Sequence, residues 1–367
     1  MICCDVLILG AGPAGAIAAL NLASTRQVIV VDRRVAPVVR IGESLPPAAR
    51  RLLTDMGLWD DFLLQGHAAC YGNRSLWSGV DADHDFLRDP DGQGLHLDRA
   101  QFESWLQAHA VRRGAALLTS TTLDSVTTIK NGWQVTLDTE NGDIEVQAKV
   151  LIDASGRAAA VDKQLGTRRR HHDPLVYLWL YGHDQHGAVD SRSQIEAVEH
   201  GWWYTASLPG QRRVLAFHTD SDLPVARALR RSAALLDAAQ GTLEISAQLD
   251  AAGFVADAEI VTTAAHSATL QPVAGGRWCA AGDAAISFDP LSSQGLFNAI
   301  YTGLAAALAC DRRLRGEIIA FDDYSNDVRR VEQAYRRHLD FWYGQETRWP
   351  DSPFWQRRQV KTEEPIR

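Results

Sequence analysis

Lysine is almost missing from this chain. Of its 37 basic residues only Lys130, Lys149, Lys163 and Lys361 carry an amine, and none of them precedes position 130. A guanidinium does not give up its proton, so chemistry that needs a neutral side-chain amine has no donor in the first 129 residues. Cysteine is also scarce. Cys3, Cys4, Cys70, Cys279 and Cys310 are odd in number and fit no metal spacing, which points to reduced core thiols in a cytoplasmic protein. No apolar run is long enough to cross a bilayer, so no membrane partner is expected. The opening Met1-Ile-Cys-Cys-Asp-Val-Leu-Ile-Leu-Gly10 has no basic leader and reads as a buried strand rather than a signal peptide. A net charge of -8 supplies no basic surface for phosphates, which argues against nucleic acid. His171, His172, His183 and His186 suggest a metal at first sight, but adjacent histidines in a strand point to opposite faces, so no metal site is expected.

What the chain does have begins at its N-terminus. Asp5-Val-Leu-Ile-Leu-Gly10-Ala-Gly12-Pro13-Ala14-Gly15 is strand, turn and helix start. The strand lacks polar alternation and should be buried on both faces, as in a parallel sheet. Gly10 makes the turn, Gly12 lets the backbone approach a pyrophosphate, and Gly15 lets helix and strand pack. The helix start then offers free N–H groups to phosphates. A second strand, Gln27-Val-Ile-Val-Val-Asp32, ends on an acid at the distance where a ribose is bound, with Arg33 beside it. An acid there disfavours a 2′-phosphate, leaving FAD or NAD. Only one such fingerprint is present, so the ligand is NAD alone, or FAD with a reductant that comes and goes.

A second glycine-bearing stretch decides between them. Cys279-Ala-Ala-Gly-Asp283 ends an apolar run on an acid, and Pro290-Leu-Ser-Ser-Gln-Gly295-Leu296 feeds a helix. A helix N-terminus aims a positive dipole end at whatever lies before it, which suits the negative charge of a reduced flavin. This spacing resembles the second FAD motif of the glutathione-reductase-type flavoproteins, in the form seen in aromatic hydroxylases and flavin-dependent halogenases. The resemblance implies that Asp283 holds the ribityl chain, that Gly295 and Leu296 abut the flavin ring, and that Pro290 also lies at the cofactor. Three further segments agree: Asp98-Arg99 opening a helix, Arg40-Ile-Gly-Glu43-Ser44 resembling the segment beside the flavin, and Asp153-Ala-Ser-Gly-Arg157 ending a buried strand. By the same resemblance Arg40, Glu43, Ser44 and Arg99 lie at the FAD.

The expected fold class is therefore α/β: a Rossmann-like FAD domain of the glutathione-reductase type, an inserted mixed β-sheet substrate domain, and a C-terminal helix. The FAD motifs are scattered, so that domain is expected to be discontinuous, over 1–65, 94–160 and 265–315. Residues 66–93 and 165–262 would form the substrate sheet. Pro174–Tyr181, Gly201–Leu208 and Arg213–Thr219 read as its strands, Cys70–Trp77 as one more, and Leu223–Ala239 as a helix. Residues 316–367 would supply a helix over roughly Ile318–Phe341 and an aromatic, basic tail docked on the body.

The missing lysines bear on the reaction. Halogenases of this superfamily need an active-site lysine a few tens of residues past the Gly-Glu-Ser segment. Here that region reads Tyr71-Gly-Asn-Arg74-Ser-Leu-Trp77, and the halogenase tryptophan signature is altered to Trp202-Trp203-Tyr204. The Asp153–Arg157 segment also departs from the form that serves NADPH in single-component hydroxylases, which favours reduction by a separate flavin reductase or another external electron donor. The short length, Gly72–Trp77, Gly94–Arg99, Gly201–Tyr204 and Arg348–Trp355 resemble the flavoproteins that mature tryptophylquinone enzymes, of the lysine-oxidase and glycine-oxidase maturation type. That resemblance implies an FAD-dependent monooxygenase that uses O2 and a flavin hydroperoxide to hydroxylate a tryptophan in a partner protein. The alternatives are a small-molecule halogenase or hydroxylase, or a flavin-binding assembly factor. Glu43, His84, His96, Tyr204, His218 and Asp289 are candidate acid–base residues by neighbourhood, and Trp77, Trp202, Trp203 and Tyr204 are candidates for a substrate cage.

Overall fold

The computed structural model describes residues 2–187, 190–257 and 259–359, so the last eight residues of the expected C-terminal segment lie outside it. The N-terminal strand Ile2–Leu9 sits inside an eight-stranded sheet, parallel to Val28–Val31 on one side and Ile144–Asp153 on the other. Trp278–Ala280 and Ala116–Leu118 extend the parallel run outward. All four residues of Val28–Val31 are buried, as helix-covered parallel strands require. The helix Pro13–Leu22 covers one face and packs against two further helices, Arg99–Arg112 and Gly295–Leu314. These parallel strands all end on the side where the glycine turns lie, which places ligand-facing loops together.

A second eight-stranded sheet, mostly antiparallel, stands over those loops. Its central strands are Leu175–Asp184, Arg212–Asp220, Gly201–Leu208 and Ser193–Val198, with Gly72–Trp77 and Val80–Asp85 at one end. Alternation of period two divides its residues. Leu178, Leu180, Trp203, Leu215 and Phe217 face a helical layer and bury there, while Tyr177, Trp202, Tyr204 and His218 face the FAD-motif loops. The helical layer differs from expectation. Leu223–Ala239 is two helices, Pro224–Ala228 and Ser232–Gln240, and a third, Glu244–Ala252, follows. The third is capped from afar: the buried Glu196 carboxylate accepts the N–H groups of Leu243, Glu244 and Ile245 at 2.8, 2.8 and 3.1 Å. A carboxylate at a helix N-terminus satisfies donors that otherwise have no partner.

The long C-terminal helix runs over Ala320–Gln345. Beyond it the tail turns back onto the second sheet. Phe354 and Trp355 are fully buried, and the Trp355 indole N–H donates to the Val198 carbonyl at 3.0 Å. Among the described residues, no helix is long and apolar enough to cross a membrane.

Candidate active site

The glycines of the first turn answer to different neighbours. Gly10 has φ +102°, and a Cβ there would stand 2.4 Å from the Ala154 carbonyl oxygen. A Cβ on Gly15 would stand 1.9 Å from the Gly10 carbonyl oxygen. Both glycines are demanded by the chain's own packing. Gly12 is not: its nearest neighbour would be an Arg40 guanidinium nitrogen at 3.6 Å, so the space before it is left for something else. The helix behind it starts without a side-chain cap. Asp32 braces the turn, accepting from Ala11 N and Arg34 N, both at 2.9 Å. The helix Gly295–Leu314 also starts uncapped, with nothing within 4 Å of a Cβ placed on Gly295. Two helix N-termini with free N–H groups thus open on one cleft of about 480 Å³.

Of the residues expected at a cofactor, Gly10, Gly12, Pro13, Ala14, Asp32, Arg33, Arg40, Glu43, Ser44, Arg99, Asp283, Pro290, Gly295 and Leu296 all line this cleft, and Gly15 lies behind it. Their charge is organised by a residue the motifs did not mark. Glu103, buried to 1% exposure, accepts from Arg40 Nε at 2.9 Å, from a second Arg40 nitrogen, and from Arg99 Nη2 at 2.6 Å. Burial pushes its carboxyl up, but Arg99 and Arg40 outweigh burial and hold it below the usual range. One carboxylate between two guanidiniums leaves that trio of side chains with a net positive charge. Arg99 Nε is buried with no partner. The i, i+4 spacing of Arg99 and Glu103 on one helix was the available signal. Arg157, which closes the Asp153–Arg157 segment, also lines the cleft, its Nη1 donating to the His266 carbonyl at 2.5 Å and its Nε 3.5 Å from Asp283 Oδ2.

The residues present fit an FAD. An open cradle at Gly12, two uncapped helix starts, an unpartnered buried guanidinium N–H and unbalanced positive charge suit a pyrophosphate. Asp32 and Asp283 suit sugar and ribityl hydroxyls.

The opposite wall is aromatic. Trp202 and His218 are cross-strand partners whose rings stack with centroids 3.5 Å apart and planes 3° apart. Burial pushes the His218 imidazole down to about 3, so it is neutral, and its Nδ1 has no hydrogen-bond partner. Tyr177 and Tyr204 lie on the same face, and burial raises both phenols, Tyr177 to about 12. Glu43 is buried, accepts the Tyr181 hydroxyl and the Gly42 N–H (2.8 Å), and is raised by burial. Asp289, 1% exposed, is pushed up to about 7 by burial and by Asp173. It accepts from Leu291 N at 2.9 Å and from the Tyr343 hydroxyl at 2.8 Å.

Four expected residues are elsewhere. Trp203 is on the other face of its strand, in the core against the helical layer, because neighbours in a strand alternate. Trp77 packs edge-on to Tyr343 and Trp355 behind the wall, with its N–H on the Trp342 carbonyl at 2.9 Å. His84 sits on the exposed strand Val80–Asp85. His96 is buried away from the cleft, its Nε2 2.9 Å from Ser193 Oγ. Arg74, in the region where halogenases of this superfamily need a lysine, is paired with Asp81 and Glu244 and does not line the cleft. Among the described residues no lysine lines it either.

A family model described as FAD binding domain matches residues 3–338. LodB of Marinomonas mediterranea, described as an FAD-dependent oxidoreductase, is 29% identical over 361 residues, covering 96% of each chain. Among solved structures, the myxobacterial chondrochloren halogenase CndH superposes with TM-score 0.90 at 23% identity, over 99% of this chain and 87% of its own. QhpG, a peptidyl tryptophan dihydroxylase essential for tryptophylquinone cofactor biogenesis, gives TM-score 0.78 at 24% identity, over 99% of this chain and 80% of its own.

Proposed function

The chain belongs to the FAD binding domain family, and from that premise we propose that it is a monooxygenase that hydroxylates a tryptophan side chain of a partner protein. The observation that carries this reading is the cleft itself: a dinucleotide cradle on one wall, a flat aromatic wall opposite, and no lysine between them among the described residues. FAD, reduced by an external donor, supplies the activation of O2. Arg40, Arg99 and the two helix N-termini would hold its pyrophosphate and flavin ends. Tyr177 and Tyr204, half-buried on the cleft face beside the stacked Trp202–His218 pair, are the rings an indole can meet, and an offset or edge-on ring contact there adds to area burial. Asp289, poised near neutral pH in the same cleft, is suited to take the proton that an aromatic carbon sheds when it gains oxygen. QhpG acts on peptidyl tryptophan, which is consistent with that choice of substrate.

The test is intact-mass analysis of the protein encoded beside this one, made with and without this chain, with a flavin reductant, O2 and bromide supplied. Oxygen gained on a mapped tryptophan is the expected result. Bromine gained would replace the reading with a halogenase, and an unmodified partner would redirect it to free indoles and phenols.

A further inference from the structure

The two walls of the cleft belong to different parts of the chain, and the C-terminal helix touches both. Tyr343 Oη donates to Asp289 Oδ2 at 2.8 Å and accepts the Trp202 indole N–H at 3.1 Å. Asp289 begins the turn that leads to Gly295, and Trp202 stands on the aromatic wall. Two helical turns earlier on the same helix, Tyr335 Oη accepts the Asp289 backbone N–H at 2.7 Å, and its ring stacks on Phe288 with centroids 4.1 Å apart. One helix therefore grips Asp289 by main chain and side chain. Tyr343 is itself held: the Arg358 guanidinium lies 5.1 Å from its ring centroid, and Trp77 and Trp355 pack on it at 6.0 Å.

Resting on the reading of the cleft given above, we propose that Tyr343 is a positioning residue, whose single hydroxyl sets Asp289 on the loop wall and Trp202 on the sheet wall relative to one another. A buried hydroxyl with both its donor and acceptor used has one place to be. The tail that fixes its ring is then part of the site, although only Asp289 and Trp202 line the cleft. The groups that face Asp289 are the Asp173 carboxylate, the Arg358 guanidinium, the Leu291 N–H and the two tyrosines. Tyr343 stabilises the ionised form, so its removal should make Asp289 harder to ionise.

The experiment compares the FAD-loaded wild type with Tyr343→Phe, which keeps the ring and loses the hydroxyl. Carbon-13 NMR of carboxyl-labelled aspartate, with the Asp289 signal assigned by its loss in Asp289→Asn, reads the titration without needing a substrate. The midpoint should rise by about one pH unit, the size expected for one lost hydrogen bond to a carboxylate. FAD affinity should stay within about twofold, because Tyr343 does not line the cleft. With a substrate that turns over, kcat/KM should fall by about tenfold and its acid limb should move with the NMR midpoint. Should Tyr343→Phe fold poorly, Trp202→Phe breaks the other hydrogen bond, and its KM should rise with the Asp289 midpoint unmoved. An unmoved midpoint in Tyr343→Phe overturns the proposal, as does a moved midpoint with unchanged kcat/KM. Absence of turnover on every aromatic tested would count against the proposed reaction alone, with NMR still deciding the role of Tyr343.

Discussion

Replacing Asp289 with asparagine should stabilise this protein at neutral and alkaline pH and lose that advantage in acid. Asp289 is fully buried, and burial with Asp173 nearby lifts its carboxyl from an ordinary 3.8 to about 7. The sign follows from the two states. Below about pH 4 the carboxyl is protonated whether the chain is folded or not, so the native state bears no penalty. Between about 4 and 7 the unfolded chain sheds the proton and the folded chain keeps it, so stability falls by about 1.4 kcal/mol per pH unit. Above about 7 both are ionised and the accumulated loss is complete, about 4 kcal/mol by this reckoning. The asparagine amide does not titrate. Its carbonyl can still accept from Leu291 N, and its N–H can donate to the Tyr343 oxygen, which leaves the Tyr343 hydroxyl proton without its acceptor, a cost that does not change with pH. Urea unfolding of FAD-saturated wild type and Asp289→Asn at pH 5, 6, 7 and 8 checks this. The variant's advantage should grow from pH 5 to pH 7 and then level off. A difference that is constant with pH, or that shrinks as pH rises, would refute the reasoning.

Gly12→Ala should leave the melting temperature within about 2 °C of wild type, because the backbone is extended there and a methyl meets only Arg40, while FAD affinity measured by flavin fluorescence falls at least ~10-fold as the cradle fills. Gly10→Ala should instead cost about 1–3 kcal/mol in urea unfolding, because its φ of +102° and the Ala154 carbonyl both oppose a side chain. Glu103→Ala strands Arg40 and Arg99 beside each other and should destabilise the FAD-free chain by about 3–5 kcal/mol; calorimetry with and without FAD should show partial recovery as the pyrophosphate supplies the missing negative charge. Trp203→Ala should cost about 3–5 kcal/mol of stability with KM unchanged, and Trp202→Ala should raise KM, which separates the two faces of one strand by steady-state kinetics.

The dinucleotide cradle was legible because its requirements are local. A turn that needs φ above zero, a helix start and an acid at a strand end all declare themselves within 32 residues. The strands of the second sheet were legible for the same reason. Their facing was not: Trp202, Trp203 and Tyr204 read alike as aromatic strand residues, and only the location of the partner layers decides which parity meets the cleft. Glu103 was missed because a buried acid between two arginines looks like any charged helix residue until its neighbours are known. The start of the added helix Glu244–Ala252 depends on Glu196, about 50 positions away, which no local cap rule detects. Tyr335 and Tyr343 were read only as part of a helix or an aromatic tail. Their meaning comes from hydrogen bonds to Asp289 that span 46 and 54 positions.

The lysine shortage and the tail bear on the same question of specificity. Every permanently charged basic side chain among the cleft's described lining is an arginine, including Arg40, Arg99 and Arg157, and none can become a neutral nitrogen nucleophile. The neutral side-chain nitrogens on the aromatic wall belong to Trp202, whose N–H is bound to Tyr343, and to His218, whose ring is fixed face to face with Trp202. Trp202 is in turn fixed by Tyr343, and Tyr343 by Arg358, which also donates to the buried Asp220 at 2.6 Å. The order of that chain of contacts matters. A cation at position 358 that left its place would remove one of the contacts that hold Tyr343, beside Trp77 and Trp355, and so loosen its hydrogen bonds to Trp202 and Asp289, while Gly12, Asp32 and Arg40 kept their own neighbours. Arg358→Ala should therefore bind FAD normally and oxidise an external reductant normally. With a substrate that turns over, the yield of oxygenated product per reductant consumed should drop, with the balance appearing as hydrogen peroxide. A peroxide assay beside intact-mass analysis reads both. Equal losses of FAD binding and product would instead place the tail's contribution in folding alone.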